Sequence, residues 1–326
     1  MHIPENYLSP QTCAVTAAAM IPVWAVSVYK VRKEVPAEKI SYIGVAAAFS
    51  FLGMMFNIPL PGGTTGHAVG GTLISILLGP YASCIAVSVA LLLQAVIFGD
   101  GGIISYGANC FNMAFVLPFV GYGTYRLLKK VIKGKNSDYI AAGIGSYAGI
   151  NAAALCAAVE FGIQPLLFHD AAGNALYCPY GLNVSIPAMM IGHLTIFGAA
   201  EVIFTIALYA FVRHVSPEMI KDTKETKTSK GLIALLTVIV LAVPSGLLAE
   251  GTAWGEWGAD EIASTGAGYV PAGMKNGFEW HALLPDYSMS GVPDWFGYIL
   301  SAVIGTALLV IICRLISMNH TDKKAA

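Results

Sequence analysis

Apolar residues gather in nine stretches, near 12–30, 40–56, 68–79, 82–98, 107–128, 139–166, 185–212, 231–249 and 295–316. A helix that crosses a bilayer needs about 20 apolar residues, and most of these runs approach that length. The run at 68–79 falls short. It follows the loop Asn57-Ile58-Pro59-Leu60-Pro61-Gly62-Gly63-Thr64-Thr65-Gly66-His67, and so predicts a re-entrant or broken helix. Irregular backbone at that depth must be buried in protein or line a cavity. Gly145 with Gly149 and Ala14 with Ala18 are small residues four apart, which predict close helix–helix contacts. The predicted fold is all-α, a polytopic transmembrane helical bundle of about nine spans.

Composition agrees. The 326 residues are 56% hydrophobic and only 11% charged, against roughly 25% charged in a soluble domain. Mean hydropathy is +0.68. A net charge of −1 without a basic patch outside short loops gives nucleic acid nothing to bind. The cysteines at 13, 84, 110, 156, 178 and 313 are scattered, with no Cys-x-x-Cys and no zinc-like spacing, so no disulfide framework is expected.

Charge order sets the expected orientation. Residues 1–29 carry only Glu5, whereas Lys30, Arg32, Lys33 and Lys39 follow the first run. A secretory leader has its positive charge first, so this order predicts an anchor with its amino terminus outside. Alternate loops then fall inside, and they hold 17 of the 18 Lys and Arg residues; Lys275 alone falls outside. The carboxyl terminus is expected in the cytoplasm of a cell-membrane protein.

The chain divides by composition into a membrane domain over 1–215, a charged cytoplasmic linker over 216–230 and a two-span hairpin over 231–326. The hairpin's external loop, 250–294, holds Glu250, Glu256, Asp260, Glu261, Glu279, Asp286 and Asp294 with Trp254, Trp257, Trp280 and His281. An acidic, aromatic loop can attract cations, or simply lie solvated on the membrane surface. The hairpin reads as an appended module.

Several motifs are absent. Gly134-Lys135-Asn136 fails as a P-loop at its last position and lacks the upstream glycine. No metalloprotease, Gly-x-Ser-x-Gly or paired-aspartate signature occurs. An enzyme is not expected, and any ATP hydrolysis belongs to partners.

The candidate chemistry lies at the start. Histidine in position 2 is too large for the initiator methionine to be trimmed, so Met1 is expected to keep a free amine. That amine, the backbone nitrogen of His2 and its imidazole can close fused chelate rings around one cation. A loop histidine, His67, can fill the fourth corner. Planar nitrogen coordination suits nickel or copper(II), and low-spin cobalt can accept it, whereas zinc prefers a tetrahedron. The external side also receives residues 99–113, where Asn109 and Asn112, three apart on a helix, could orient His67 or the terminus. Asp100 is expected to cap a helix. Glu160, His193 and Glu201 fall in or near spans, where ionisable groups are functional candidates or pairs that tie helices together.

Met-His-Ile-Pro-x(3)-Leu-Ser-Pro at 1–10, Asn-x-Pro-x-Pro-Gly-Gly-Thr-x-Gly-His at 57–67, Phe-Gly-Asp-Gly-Gly at 98–102 and Gly-Ala-Asn-x-x-Asn-Met at 107–113 together resemble the CbiM/NikM family. These are substrate-capture components of energy-coupling-factor transporters for cobalt and nickel. The resemblance covers roughly residues 1–215. Glu5-Asn6 stands where the family more often has Asp-Gly. It implies a bundle whose amino terminus tucks into its centre, with the metal held by Met1, His2 and His67. It also implies a transmembrane coupling (T) protein and cytoplasmic ATPase subunits as partners, transported Co²⁺ or Ni²⁺ as substrate, and no prosthetic group. The 231–316 hairpin resembles the small CbiN/NikN accessory component. The planar site leans to nickel, but the look of the carboxyl-terminal region tips the expectation slightly to cobalt. Two other readings stay open: a secondary metal- or proton-coupled transporter acting alone through Glu160, His193 and Glu201, and a structural or sensory membrane protein.

Overall fold

Ser9 opens the first long helix, α1 (Pro10–Glu34), by accepting the Thr12 N–H on its hydroxyl at 3.1 Å, while Pro10 fixes the first turn. Arg32 and Lys33 close it, opposite in charge to the carboxyl end of the helix dipole. The computed structural model describes residues 1–35, 37–60, 64–217, 230–249 and 251–325. Pro61, Gly62 and Gly63, most of the 216–230 linker with Lys221, Lys224 and Lys227, and Glu250 lie outside the described residues.

Helix α2 (Ala37–Met54) leads into an antiparallel ribbon of β1 (Ile58–Leu60) and β2 (Thr64–Gly66), in register Ile58↔Gly66. Gly70, at φ 74°, turns the chain into α3 (Gly71–Leu78). At eight residues α3 cannot cross a membrane. Its first turn is capped by a side chain from far along the chain. Glu201, fully buried, accepts the Val69 N–H at 2.8 Å and the Gly70 N–H at 3.0 Å. Gly79 then reverses the chain into α4 (Pro80–Leu93), which continues as a π-turn over Gln94–Phe98.

Helix α5 (Tyr106–Asn109) runs through a second π-turn, Cys110–Val116, into α6 (Leu117–Val131). Helix α7 (Ser137–Gly162) is followed by α8 (Gln164–Leu167) and α9 (Leu182–Gly192); a third π-turn, His193–Phe197, joins α9 to α10 (Gly198–Val215). Beyond the linker come α11 (Lys230–Ala242), α12 (Ala272–Lys275) and α13 (Asp294–Ala325).

Among the described residues, six helical stretches are long and apolar enough to span a membrane: 10–34, 80–98, 137–167, 182–215, 230–248 and 294–315. The count of nine is therefore approximate, although every predicted stretch coincides with helix. The apolar part of α2 is short (Tyr42–Met54), α3 is short throughout, and the α5–α6 stretch carries Asn109 and Asn112. Val15, Ile21, Val26 and Tyr29 of α1 point outward, as lipid contact requires.

Gly145 and Gly149 let α7 press against α6: a Cβ at either would fall within 2.7 Å of the carbonyl oxygen of Gly121 or Leu117. Ala14 and Ala18, in contrast, are exposed. The close approach of α1 is made one position away, where Ala17 sits against Gly107, so the contacting stripe is rotated from the one the spacing suggests.

The carboxyl-terminal part is no loose appendage. Helix α13 packs along α2, with Gly44 against Cys313 and Gly305 under the Phe51 ring. The Tyr298 hydroxyl donates to the Met55 carbonyl at 2.9 Å.

Replacing Glu201 with alanine leaves two buried N–H groups without an acceptor, a loss of about 2–4 kcal/mol in all. Thermal unfolding of the detergent-solubilised protein should show a lower midpoint for Glu201→Ala and a smaller drop for Glu201→Gln, which keeps one acceptor oxygen. Equal midpoints would mean that the cap contributes nothing.

Candidate metal centre

The first nine residues form no regular element, yet they are among the most enclosed in the molecule. Met1, Ile3, Tyr7 and Leu8 are 6%, 0%, 0% and 1% exposed. A buried irregular segment needs partners for its backbone, and two loops and a helix start supply them. Asn109 brackets Ile3, accepting its N–H at 2.7 Å and donating to its carbonyl at 3.1 Å. The Gly102 N–H donates to Ile3 O, Ser105 Oγ to Pro4 O, and the Cys178 N–H to Tyr7 O. Glu5 accepts the N–H groups of Ile103 and Ile104, and burial pushes its carboxyl above the usual range. Asn6 adopts φ 61°, which asparagine tolerates and glycine would adopt freely. The Glu5-Asn6 departure thus fits the loop it enters.

This threading carries residue 2 to the ribbon. His2 Nδ1 lies 3.1 Å from His67 Nε2, with the rings 4.8 Å apart. The Met1 amine donates to Glu256 Oε1 at 2.6 Å, and the His2 backbone N–H donates to the same oxygen at 2.8 Å. One ligand atom each from His2, His67 and Glu256 lie within 4.8 Å of one another. His2 Nδ1 is 3.2 Å from Asp100 Oδ1, and its Nε2 is 3.4 Å from Gln94 Oε1. Burial first, then the nearby amine and His2, hold the His67 imidazole well below its ordinary range, so it is neutral at pH 7. A neutral imidazole is the form that binds a metal.

The three candidates Met1, His2 and His67 therefore meet at one point. Glu256 joins them from the 250–294 loop, which sequence reading left as either a cation attractor or a surface loop. The loop is anchored rather than merely solvated: Trp254 and Trp257 pack on each other and on Tyr180, and the Trp254 N–H donates to Thr64 Oγ1 at 2.7 Å. A cavity of about 310 Å³, bordered by His2, His67, Asp100, Glu256, Asp286 and Tyr287, opens beside the histidines.

Other expectations change. Asp100 caps no helix; it faces His2 and accepts from Gln94 and Tyr287. Asn109 holds Ile3, whereas Asn112 turns away and donates to Glu160 Oε2 at 2.7 Å. A π-turn begins directly after Asn109, which breaks the spacing that would give the two one shared task. Glu160 is thus a helix tie, Glu201 a cap, and His193 packs on Phe197 with Nδ1 donating to Met189 O at 2.8 Å. No two of these three bond one another among the described residues. All six cysteines are free. Gln94 and Tyr287 were missed, because a lone Gln in an apolar run and a Tyr in a long loop carry no motif.

Residues 2–219 match the family described as the cobalt uptake substrate-specific transmembrane region, and residues 229–319 match the PDGLE domain. The chain is 48% identical over 327 residues to a probable fused nickel transport protein, LarMN, of Lactiplantibacillus plantarum, covering 98% of both. It is 48% identical to the fused nickel transport protein NikMN of Rhodobacter capsulatus, covering 95% of both. It is 38% identical to a cobalt transport protein, CbiM, of Acetohalobium arabaticum over 40% of this chain and 53% of that one. A crystal structure of a transition metal transporter superposes with a TM-score of 0.63 at 53% identity, covering 67% of this chain and 95% of that one.

Asn109→Ala removes both bonds to Ile3 and leaves its buried N–H unpaired, at about 1–3 kcal/mol, while the Ile3 carbonyl keeps the Gly102 N–H. The expected outcome is a folded protein with a lower unfolding midpoint, whose Met1 amine is acylated faster by an amine-specific reagent. An unchanged labelling rate would show that Asn109 does not hold the terminus.

Proposed function

The chain belongs to the cobalt uptake substrate-specific transmembrane family, and from that premise we propose that it is the substrate-capture component of an ATP-driven importer for Ni²⁺. The observation that carries this is the meeting of the Met1 amine, the His2 backbone nitrogen and the two imidazoles. Amine and backbone nitrogen close a five-membered ring on a cation; backbone nitrogen and His2 Nδ1 close a six-membered one. Metal–nitrogen bonds of about 2.0–2.1 Å at right angles put neighbouring donors about 2.9 Å apart. The separation of 3.1 Å between His2 Nδ1 and His67 Nε2 is close to that.

Before the metal arrives, Glu256 holds the amine and the His2 N–H with one oxygen. Binding displaces the protons on these nitrogens, and the cation takes over as partner of the carboxylate. The charge pattern of the loops supports a site that faces outside. The missing P-loop supports a transmembrane coupling protein and cytoplasmic ATPase subunits as the source of energy. Motion of those partners would deform the planar chelate and release the ion inward.

Nickel is favoured over cobalt on two grounds. A planar four-nitrogen donor set suits Ni²⁺, which also binds nitrogen ligands more tightly than Co²⁺. The relatives that extend over both parts of the chain are named nickel transport proteins.

Calorimetry on two purified versions tests the reading, one beginning at Met1 and one with a single residue added before it. The native chain should bind Ni²⁺ more tightly than Co²⁺, and the extended chain should lose at least a hundredfold in affinity. Equal binding by both would remove the amine from the ligand set.

A further inference from the structure

We propose that Tyr287, from the carboxyl-terminal loop, is a positioning residue for the metal site: through Gln94 it determines which nitrogen of His2 is presented to the cation. The proposal rests on the reading of His2 Nδ1 as a ligand.

Gln94 is fully buried. Its amide nitrogen donates to the Tyr287 hydroxyl at 2.8 Å and to Asp100 Oδ2 at 3.1 Å, so both hydrogens are used. The Tyr287 hydroxyl donates in turn to Asp100 Oδ2 at 2.5 Å, which closes a ring of three hydrogen bonds. What remains of Gln94 is its carbonyl oxygen, 3.4 Å from His2 Nε2. Turning the amide over would set that oxygen against the Asp100 carboxylate, acceptor on acceptor, and would leave the tyrosine hydroxyl without its donor. The amide is therefore locked, and only an imidazole with a hydrogen on Nε2 satisfies it. Nδ1, which faces Asp100 Oδ1 and His67 Nε2, is the nitrogen that can close the six-membered ring with the backbone nitrogen, and any hydrogen it shares with those groups leaves as the metal binds. The second Asp100 oxygen lies 3.2 Å from Nδ1, beside the place the cation would take.

Tyr287 is built to hold this position. Asp286 and Tyr287 sit in the left-handed region, at φ 51° and 59°, which bulky residues avoid unless their surroundings impose it. The ring stacks on Phe98 at 4.7 Å and meets Tyr298 edge-on at 5.4 Å. Ser301 of α13 donates to its carbonyl at 2.9 Å. Gln94 and Phe98 are the two ends of one π-turn, so a single irregular turn presents both the amide and the stacking partner. The carboxyl-terminal part of the chain thereby sets the orientation of a ligand at residue 2.

The test uses the full chain in detergent, native and as Tyr287→Phe, Gln94→Met and the double variant, with Ni²⁺ alone as the probe. Tyr287→Phe should lower Ni²⁺ affinity roughly tenfold and Gln94→Met by up to about a hundredfold, the range for partners of a ligating histidine. The double variant should be no worse than Gln94→Met, because Tyr287 acts through Gln94. Histidine ¹⁵N spectra, with His2 assigned by comparison with His2→Gln, should show Nε2 protonated in the native protein and that hydrogen lost or exchanging faster in Tyr287→Phe. That spectrum separates a lost orientation from a general loss of stability. Unchanged affinity and spectrum in Tyr287→Phe, or single losses that multiply in the double variant, would overturn the proposal. Failure of the native chain to bind Ni²⁺ would overturn the chelate itself, and is told apart because it is read on the unmutated protein.

Discussion

The ion pair between the Met1 amine and Glu256 is the constraint on which the rest of the structure depends. An ammonium group is costly to bury, and more so in a protein whose outer surface meets lipid, unless a counter-charge is in contact. Here the amine is enclosed and the carboxylate lies 2.6 Å away, contributed by a residue 255 positions along the chain. The carboxyl-terminal loop closes over the terminus and supplies this counter-charge. That loop in turn keeps its place through Trp254 on the ribbon, Trp280 on the Val96 carbonyl in the π-turn after α4, and α13 along α2. Residue 1 and residues 251–300 are therefore parts of one arrangement.

A second consequence concerns the π-turns. Each inserts an extra residue into a helix, at a cost in regular hydrogen bonding, and such turns gather at functional sites. All three among the described residues border the buried terminus. One carries Gln94 to His2, one begins directly after Asn109 at Ile3, and one starts at His193, which shares a small cavity with Met1. Three helices are locally underwound and widened around one irregular segment. That is how a bundle of regular rods makes room for nine residues that are not helical.

Much of this was legible in the sequence, and the limit has a physical cause. The helices follow from runs of apolar residues, because lipid selects composition directly. Met1, His2 and His67 stand out as candidates because a terminal amine beside histidine offers chelating nitrogens whatever the fold, and the fold brings the three together. Asp100 and Asn112 were misread because their roles depend on partners distant in sequence. Asp100 looks like a cap until Tyr287 is beside it, and Asn112 looks like a neighbour of Asn109 until a π-turn separates them. Glu256 was one acid among seven in its loop. Nothing local marks it out, since its role is fixed by a contact with the other end of the chain.

Under the proposed chelate, the charge that Glu256 faces is the same in both states. Without metal, the amine carries one positive charge and the His2 amide none. With a divalent cation in the planar site, the amine is neutral, the deprotonated amide contributes one negative charge and the metal two positive. The sum is again one positive charge. A half-buried carboxylate that compensates the ammonium thus compensates the loaded chelate with the same single charge. The exchange is proton for metal at constant net charge, in a place where an uncompensated charge would be expensive. An acid rather than a neutral acceptor thus suits the place over the terminus: a glutamine at 256 would accept the same two hydrogen bonds, yet take from both states the negative charge in contact with the amine.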